Sequence, residues 1–168
     1  DQDAYLMAHG VTYSAVVEWY GPFKASLFRV IVDERKRYIY LSKGTDPKNF
    51  QRIRFSDVIS IDVIVDGNTQ SGLGEAVIGG LLFGGVGALA GAMIGKKQYI
   101  SGIDVVIHRR SISTPTYTFH FFNGKTKAND PAVRSALKFA QDLNSIINVI
   151  VAQNDSYDDA PRRDRRPQ

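Results

Sequence analysis

The chain contains no cysteine, and this absence excludes disulfide bonds and metal sites built from thiolates. It also contains no serine in the G-x-S-x-G pattern that presents a nucleophile in many hydrolases. The histidines His9, His108 and His120 are far apart in sequence, although His108 and His120 could face each other across neighbouring strands. We expect two surface histidines there rather than a metal site. These absences predict a protein that is not an enzyme, needs no cofactor and takes no small-molecule substrate.

We also expect no secretory signal in the first ten residues, DQDAYLMAHG, because they contain no positively charged segment followed by an apolar run. The sequence therefore predicts a cytoplasmic protein, with the inner face of a membrane as a further expected location. The formal net charge is +4 and the isoelectric point is about 9.3. This balance mildly favours anionic partners.

Charge is absent from one long stretch, residues 76–95, which also contains no side chain that can hydrogen-bond. Seven of its 20 residues are glycine and four are alanine. On a helix, its small residues would share one face, where a second backbone can approach closely. These small residues are Ala76, Gly80, Gly84, Gly87, Gly91 and Gly95. The larger apolar residues that we assign to the same interface are Leu82, Phe83, Val86, Leu89 and Met93.

This stretch needs a cover, because each glycine inside a helix costs about 1 kcal/mol relative to alanine. Its length would allow one crossing of a bilayer. However, strands of one sheet are predicted on both sides of it, and a single crossing would separate them. We therefore favour a hairpin that turns at Gly84 and Gly85. The hairpin could dip into one leaflet of a membrane, pack against copies of itself or lie in the interior of its own domain. The sequence does not decide between these three environments.

Alternation of apolar and polar residues predicts a mainly β chain of about seven strands. The segments that we expect to form strands are 13–19, 25–33, 37–42, 51–66 (two strands, with a bend at Ser56 and Asp57), 99–108 and 116–122. Asp130 as a cap and Pro131 in the first turn then predict one amphipathic helix over 131–151. Residues 153–168 are polar, and we expect them to be disordered on their own.

The order of these elements resembles that of a pleckstrin-homology-like (PH-like) domain, a partly open barrel of seven strands with a C-terminal helix. Residues 52–62, RIRFSDVISID, resemble a strand–bend–strand segment of bacterial PH-like and GRAM-like domains. The motifs DG at 66–67, GLG at 72–74 and GKK at 95–97 surround the apolar stretch. Together they resemble a poorly characterised group of bacterial and phage proteins in which a glycine zipper interrupts such a domain.

The resemblance implies a division of the chain. A PH-like domain would span 12–152, with the glycine-rich helical hairpin inserted at 72–97. An N-terminal extension would occupy 1–11 and a polar tail 153–168. The resemblance also implies membrane association, but it implies no established activity.

Basic residues occur in three pairs, and in PH-like barrels basic residues near one open end can bind anionic lipid headgroups. The resemblance therefore implies lipid contact by Lys36, Arg37, Lys96, Lys97, Arg109 and Arg110. Lys96 and Lys97 flank the apolar stretch, which suits contact with a headgroup layer. The same two lysines equally suit a solubilising flank beside an aggregation-prone segment. Nucleic acid is the least favoured partner.

Two hypotheses follow. The leading one is a non-enzymatic assembly module that forms homo-oligomers through the glycine-rich hairpin, with a membrane as one place for this assembly. The alternative is a peripheral membrane protein that binds anionic lipid through the hairpin and its flanking lysines. The number of subunits, the biological process and any further partner do not follow from the sequence.

Overall fold

The computed structural model of the chain describes residues 1–21, 27–69 and 98–158. Within these residues the chain forms two helices, ten strands and one 3₁₀ turn. In chain order they are α1 (Gln2–Ala8), β1 (Ala15–Tyr20), β2 (Leu27–Asp33), β3 (Tyr38–Lys43), β4 (Phe50–Arg54), the 3₁₀ turn (Phe55–Asp57), β5 (Val58–Val65), β6 (Asn68–Thr69), β7 (Tyr99–Ile100), β8 (Ile103–Arg109), β9 (Thr116–Phe121), β10 (Thr126–Lys127) and α2 (Pro131–Asp158).

The first sheet contains β1, β2, β3 and β4 in that order, and every neighbouring pair is antiparallel. Residues that pair across β1 and β2, such as Val17 with Val30, point together into the main core. The predicted hairpin between β2 and β3 is therefore confirmed. Its turn ends at Arg37, which has a φ of 59°.

The second sheet places β6, β5, β8 and β9 side by side. In the antiparallel pairing of β5 with β8, Val65 lies opposite Ile103. The long strands β5 and β8, which lie before and after segment 70–97 in the sequence, are thus direct neighbours. The short strand β6, which directly precedes the segment, pairs with β5, whereas β7, which directly follows it, pairs with β10. The predicted bend at Ser56 and Asp57 is confirmed as the 3₁₀ turn that joins β4 to β5.

The main core lies between the two sheets, and α2 covers it by packing against β1 and β5. Aromatic rings fill its centre: the ring centroids of Trp19 and Phe121 are 4.8 Å apart, and those of Phe119 and Phe139 are 5.1 Å apart. A mainly β domain with a C-terminal helix and two open sheets agrees with the PH-like fold that was predicted. The predicted hairpin at 72–97 lies outside the described residues.

Helix α2 starts where it was predicted, since the Asp130 carboxylate accepts a hydrogen bond from the backbone N–H of Ala132 at 2.8 Å. The helix continues to Asp158, seven residues beyond the predicted end, so residues 153–158 are helical rather than disordered. The cause is a tertiary contact: the Asn154 side chain donates to the carbonyl oxygens of Phe55 (2.7 Å) and Val58 (3.4 Å).

The N-terminal residues form a helix that the strand pattern did not predict. Helix α1 lies on the outer face of the first sheet, where Leu6, Val11, Ile31 and Tyr40 make a second buried cluster. Strand β2 is consequently buried on both faces. Seven residues of α1 are too few to give a clear helical period, so the sequence carried little signal for it.

The predicted strand over 99–108 is two strands, β7 and β8, separated by Ser101 and Gly102. The physical reason is that the backbone N–H groups of these two residues donate to the Asp66 side chain instead of to a neighbouring strand. Within residues 1–21, 27–69 and 98–158, no helix is both long enough and apolar enough to cross a bilayer.

Candidate functional site

The predicted interface residues Ala76, Gly80, Leu82, Phe83, Gly84, Val86, Gly87, Leu89, Gly91, Met93 and Gly95 lie outside the described residues, as do Lys96 and Lys97. The structure does describe the residues that hold the two ends of segment 70–97. These are Asp66, Tyr99, Ile100, Thr126 and Lys127, and we call this region the anchor end.

Asp66 fastens the two flanks of the segment to each other. Its Oδ1 atom accepts hydrogen bonds from the backbone N–H groups of Ser101 at 2.7 Å and Gly102 at 3.2 Å. The Asp66 backbone N–H in turn donates to the carbonyl oxygen of Gly102 at 3.0 Å. Asp66 has a φ of 52° and Gly67 a φ of 80°, a left-handed turn that these two residue types tolerate well.

The returning chain is held by a small ribbon made of β7 and β10. Ile100 pairs with Thr126 and Tyr99 pairs with Lys127, while the Ala128 backbone N–H donates to the carbonyl oxygen of Gln98 at 2.9 Å. Ile100 is fully buried in the main core. Burial and backbone hydrogen bonds therefore both fix the point at which segment 70–97 ends.

The anchor end also presents an aromatic ring and two cations to solvent. Tyr99 is 49 % exposed, and the Lys125 ammonium lies 5.9 Å from the centre of its ring. Lys127, directly opposite Tyr99 in the ribbon, is exposed too. Sequence reasoning missed both lysines, although the turn at Asn123 and Gly124 was recognised and places them on the strand that follows it.

A second site lies at the other end of β5. Four basic side chains, Lys36, Arg37, Arg54 and Arg110, surround a cavity of about 430 Å³. We call it the cationic pocket, and its remaining lining residues are Tyr38, Ser56 and Asn154. The structure thus brings together three of the residues that the sequence singled out, and it adds Arg54.

Secondary structure explains how these distant residues meet. Lys36 and Arg37 lie in the turn between β2 and β3, and Arg54 ends β4, the strand next to β3. Arg110 follows the end of β8, where its backbone N–H donates to the carbonyl oxygen of Asp57 at 2.8 Å. Arg54 was missed because strand alternation identifies an outward-facing residue but does not identify its neighbours on other strands.

Several contacts hold the pocket walls in place. The Arg37 guanidinium lies 5.0 Å from the centre of the Phe55 ring, and it donates to the Gln153 Oε1 atom at 3.4 Å. The Lys36 ammonium donates to the carbonyl oxygen of His9 at 3.1 Å. Asn154 is fixed by its two hydrogen bonds to the start of the second sheet.

Arg109 is not part of the cationic pocket. Its guanidinium donates to the carbonyl and hydroxyl oxygens of Thr114, within the loop that joins β8 to β9. Successive residues of a strand point in opposite directions, so Arg109 and Arg110 separate although they are adjacent in sequence.

The anchor end and the cationic pocket are separated by the length of β5. Ile64, which pairs with Thr69 just before segment 70–97, is six residues from Val58 at the pocket end. A rise of 3.3 Å per residue puts the two sites roughly 20 Å apart. Of the described residues predicted to contact lipid, Lys36, Arg37 and Arg110 line the cationic pocket and Arg109 does not.

The prediction that His108 and His120 could face each other is wrong. His108 lies opposite Thr116 and His120 lies opposite Asp104 in the β8–β9 register. Each ring instead contacts a carboxylate: the Nε2 atom of His108 is 2.8 Å from Asp62, and Nδ1 of His120 contacts Asp104. No group of three or more potential metal ligands occurs among the residues that the structure describes.

The sequence matches one known protein family. Residues 22–123 match a family model described as "Glycine zipper containing PH domain". Comparisons with curated proteins and with solved structures give no match. The matched range includes both flanks of segment 70–97 and all strands from β2 to β9.

Proposed function

The chain belongs to the family of PH domains that contain a glycine zipper, and on this premise we propose that it is a non-enzymatic assembly module. In this proposal, copies of the chain associate through the apolar, glycine-rich segment between residues 70 and 97. PH-like domains are generally non-catalytic binding modules, which agrees with the absence of a recognisable nucleophile or thiolate site in the sequence.

The observation that carries the proposal is the side-by-side position of the segment's two flanks. Asp66 binds the backbone of Ser101 and Gly102, and β5 pairs with β8. Close ends agree with a 28-residue segment that leaves the domain and returns on the same side, as this proposal requires. The flanks of the segment belong to one folded domain, so the segment does not link two separate bodies.

The residue content of that loop favours a protein partner with the same surface. A row of small residues permits close contact between backbones, and such contact is favourable when an identical row is presented by another copy. The cost of the interior glycines is offset only when the segment is covered. Association between copies supplies the cover without any other component.

A size measurement on the full chain tests this proposal. We expect Gly87→Leu combined with Gly91→Leu to reduce the oligomer in analytical ultracentrifugation, because the added side chains separate the two backbones. Ala92→Leu is the matched control, since it adds apolar bulk beside the small row and should leave the size unchanged. An unchanged oligomer for the double variant, or equal loss in both, would remove the proposal.

A second candidate function is peripheral binding to an anionic membrane, and the composition of the anchor end favours it. Tyr99, Lys125 and Lys127 are exposed beside the point where the apolar segment rejoins the domain. Amphipathic aromatic rings and lysines suit a membrane interface, and Lys96 and Lys97 would add to the same charge. The inner face of a membrane is the location that this candidate predicts.

Flotation with vesicles distinguishes the two candidates. Membrane binding predicts that the chain floats with anionic vesicles more than with neutral ones, and that Lys125→Gln with Lys127→Gln weakens flotation. Failure to float with either vesicle, together with a multimer in solution, would leave assembly alone. The GRAM-like relationship and the bacterial or phage origin stay predictions of the resemblance.

A further inference from the structure

We infer that Asn123 is a site of self-catalysed deamidation, with the His120 imidazole as the acid that promotes the reaction. Asn123 and Gly124 lie in the turn between β9 and β10, and they are the one Asn–Gly pair in the chain. Besides the chain itself, the reaction needs only water. It does not depend on the proposed assembly, because its product is a covalent change in the turn.

The reaction takes two steps. In the first, the backbone nitrogen of Gly124 attacks the side-chain carbonyl carbon of Asn123, an intramolecular attack between neighbouring groups. A bond forms between these two atoms, the bond from that carbon to the side-chain nitrogen breaks, and ammonia leaves with the proton of the Gly124 N–H. In the second, water opens the five-membered succinimide ring at either of two C–N bonds, which yields aspartate or isoaspartate.

Glycine makes the first step possible in this turn. Gly124 has no Cβ atom to block the attack, and it adopts a φ of 120° that other residues rarely adopt. Asn123 and Gly124 are both exposed. Within the part of the chain that the structure describes, the Gly124 N–H donates no hydrogen bond to the protein. The attacking nitrogen is therefore not held by a competing contact.

A catalytic side chain contacts the reacting amide. The Nε2 atom of His120 is 3.2 Å from the Asn123 Oδ1 atom, and the Nδ1 atom of the same ring contacts the Asp104 carboxylate. Both ring nitrogens thus face oxygen acceptors, an arrangement in which a protonated imidazole donates to both. Such a donor polarises the amide carbonyl, and it stabilises the oxygen that becomes negative when Gly124 attacks.

Tertiary structure holds this acid against the turn. His120 lies opposite Asp104 in the pairing of β9 with β8, so the carboxylate orients the ring. Phe122 packs against Trp19, with 6.3 Å between the ring centroids, and adopts a φ of 70° that is unusual for an aromatic residue. The core contact of Phe122 therefore fixes the path of the chain after β9, and Asn123 meets the His120 ring.

The product would change the anchor end. Deamidation adds a carboxylate two residues before Lys125, and isoaspartate also adds one carbon atom to the backbone of the turn. That turn leads into β10, whose pairing with β7 holds the end of segment 70–97. A deamidated chain thus has less positive charge beside the anchor end and a less regular connection from β9 to β10.

Peptide mapping by mass spectrometry, on the full chain incubated at neutral pH, measures the rate at Asn123. We expect His120→Gln to slow deamidation by at least about threefold, well below the effect of an optimised general acid. His108→Gln is the matched control, because His108 also contacts a carboxylate on the second sheet but does not touch Asn123. It should leave the rate unchanged. Asn49, which is exposed and precedes a phenylalanine, is the internal reference in every variant.

The direction of the change separates catalysis from a structural role. If His120 only kept the turn rigid, then His120→Gln would speed the reaction, because a looser turn reaches the geometry of attack more easily. The chain unfolded in guanidinium chloride gives a second comparison. It keeps the Asn–Gly pair but loses the contact with His120, so Asn123 should react faster in the folded chain than in the unfolded one.

Three results would overturn the inference. The first is an unchanged or higher rate at Asn123 in the His120→Gln variant. The second is a rate at Asn123 in the folded chain that is no higher than the rate at Asn49. The third is faster deamidation of Asn123 in the unfolded chain than in the folded one.

Discussion

The two ends of the β5–β8 pair differ in the contacts they make, although the same two strands form both. At the anchor end, Asp66 and the β7–β10 ribbon bring two flanks together through short backbone hydrogen bonds and the burial of Ile100. At the pocket end, Arg54 and Arg110 are kept near each other although like charges repel. One end therefore gains stability from its contacts, whereas the other end holds like charges around one cavity.

The two ends should therefore differ in how well they tolerate substitutions. Residues of the anchor end contribute to folding, so substituting them should lower stability before it affects any partner. Arg54 and Arg110 at the pocket end are exposed, so substituting them should change stability little. The next three predictions measure how much individual contacts contribute to stability, starting with the largest expected effect.

Truncation of Ile100 should have the largest effect on the anchor end. Ile100 is fully buried, and removing three carbon atoms from a buried isoleucine costs roughly 2–5 kcal/mol. We expect Ile100→Ala to lower the free energy of unfolding by about that amount in urea titrations. Ile112→Ala is the control, because Ile112 is fully exposed and should change stability by less than about 0.5 kcal/mol. Equal effects of the two substitutions would mean that β7 is not fixed to the core.

Removal of the Asp66 carboxylate should have a smaller but clear effect. Asp66→Ala removes the hydrogen bonds from the exposed Ser101 N–H and the part-buried Gly102 N–H, each of which contributes about 0.5–1.5 kcal/mol. The measurement is again urea unfolding. Asp62→Ala, which loses only a part-exposed contact with His108, should cost less than about 1 kcal/mol. If Asp62→Ala proves the more harmful change, then Asp66 does not fasten the flanks.

The smallest effect concerns the polar contacts that hold α1 on the outer face of the first sheet. Burial, together with the hydrogen bond to Asp3, raises the pKa of Tyr13 to about 12. Because the folded pKa exceeds the ordinary value of 10.0, this contribution to stability is complete below pH 10 and is lost as the pH rises from 10 to about 12. Exposure screens the pair, so we expect a loss below about 1 kcal/mol.

Comparison of the wild type with Tyr13→Phe isolates this titration from those of other tyrosines. The difference in unfolding free energy between the two proteins should narrow between pH 10 and 12. At acid pH the stability depends on pH in the opposite direction, because the group that titrates there, Asp3, has a lowered pKa. Hydrogen bonds from Tyr13 and then Arg29 lower the pKa of Asp3, so its contribution is present above pH 3.8 and is lost as the pH falls through the lower folded value. A constant difference over the alkaline range would rule out the coupling between Tyr13 and Asp3.

Much of the fold could be read from the sequence, because its longer strands have one buried face. Alternation located β1 to β5, β8 and β9, and the pair Asp130 and Pro131 located the start of α2. The two-residue strands β6, β7 and β10 were missed, since two residues have no period. Helix α1 was missed because its burial depends on a sheet face that only the tertiary structure creates.

The candidate sites were less predictable for a related reason. Lys36, Arg37 and Arg110 stood out as members of basic pairs, but Arg54 is a single basic residue in a strand. Its place in the pocket follows from strand pairing and from the turn at Ser56. Lys125 and Lys127 likewise reach the anchor end only because β10 pairs with β7. Distances between strands decide both sites, and a single sequence does not contain these distances.

The most direct test is the size of the full chain in solution compared with that of a chain in which residues 70–97 are replaced by a short glycine–serine linker. Both flanks of the segment are held by Asp66 and the β7–β10 ribbon, so the shortened chain should fold. Sedimentation with and without detergent should give an oligomer for the full chain and a monomer for the shortened one. Equal sizes for the two chains in both conditions would contradict assembly through this segment.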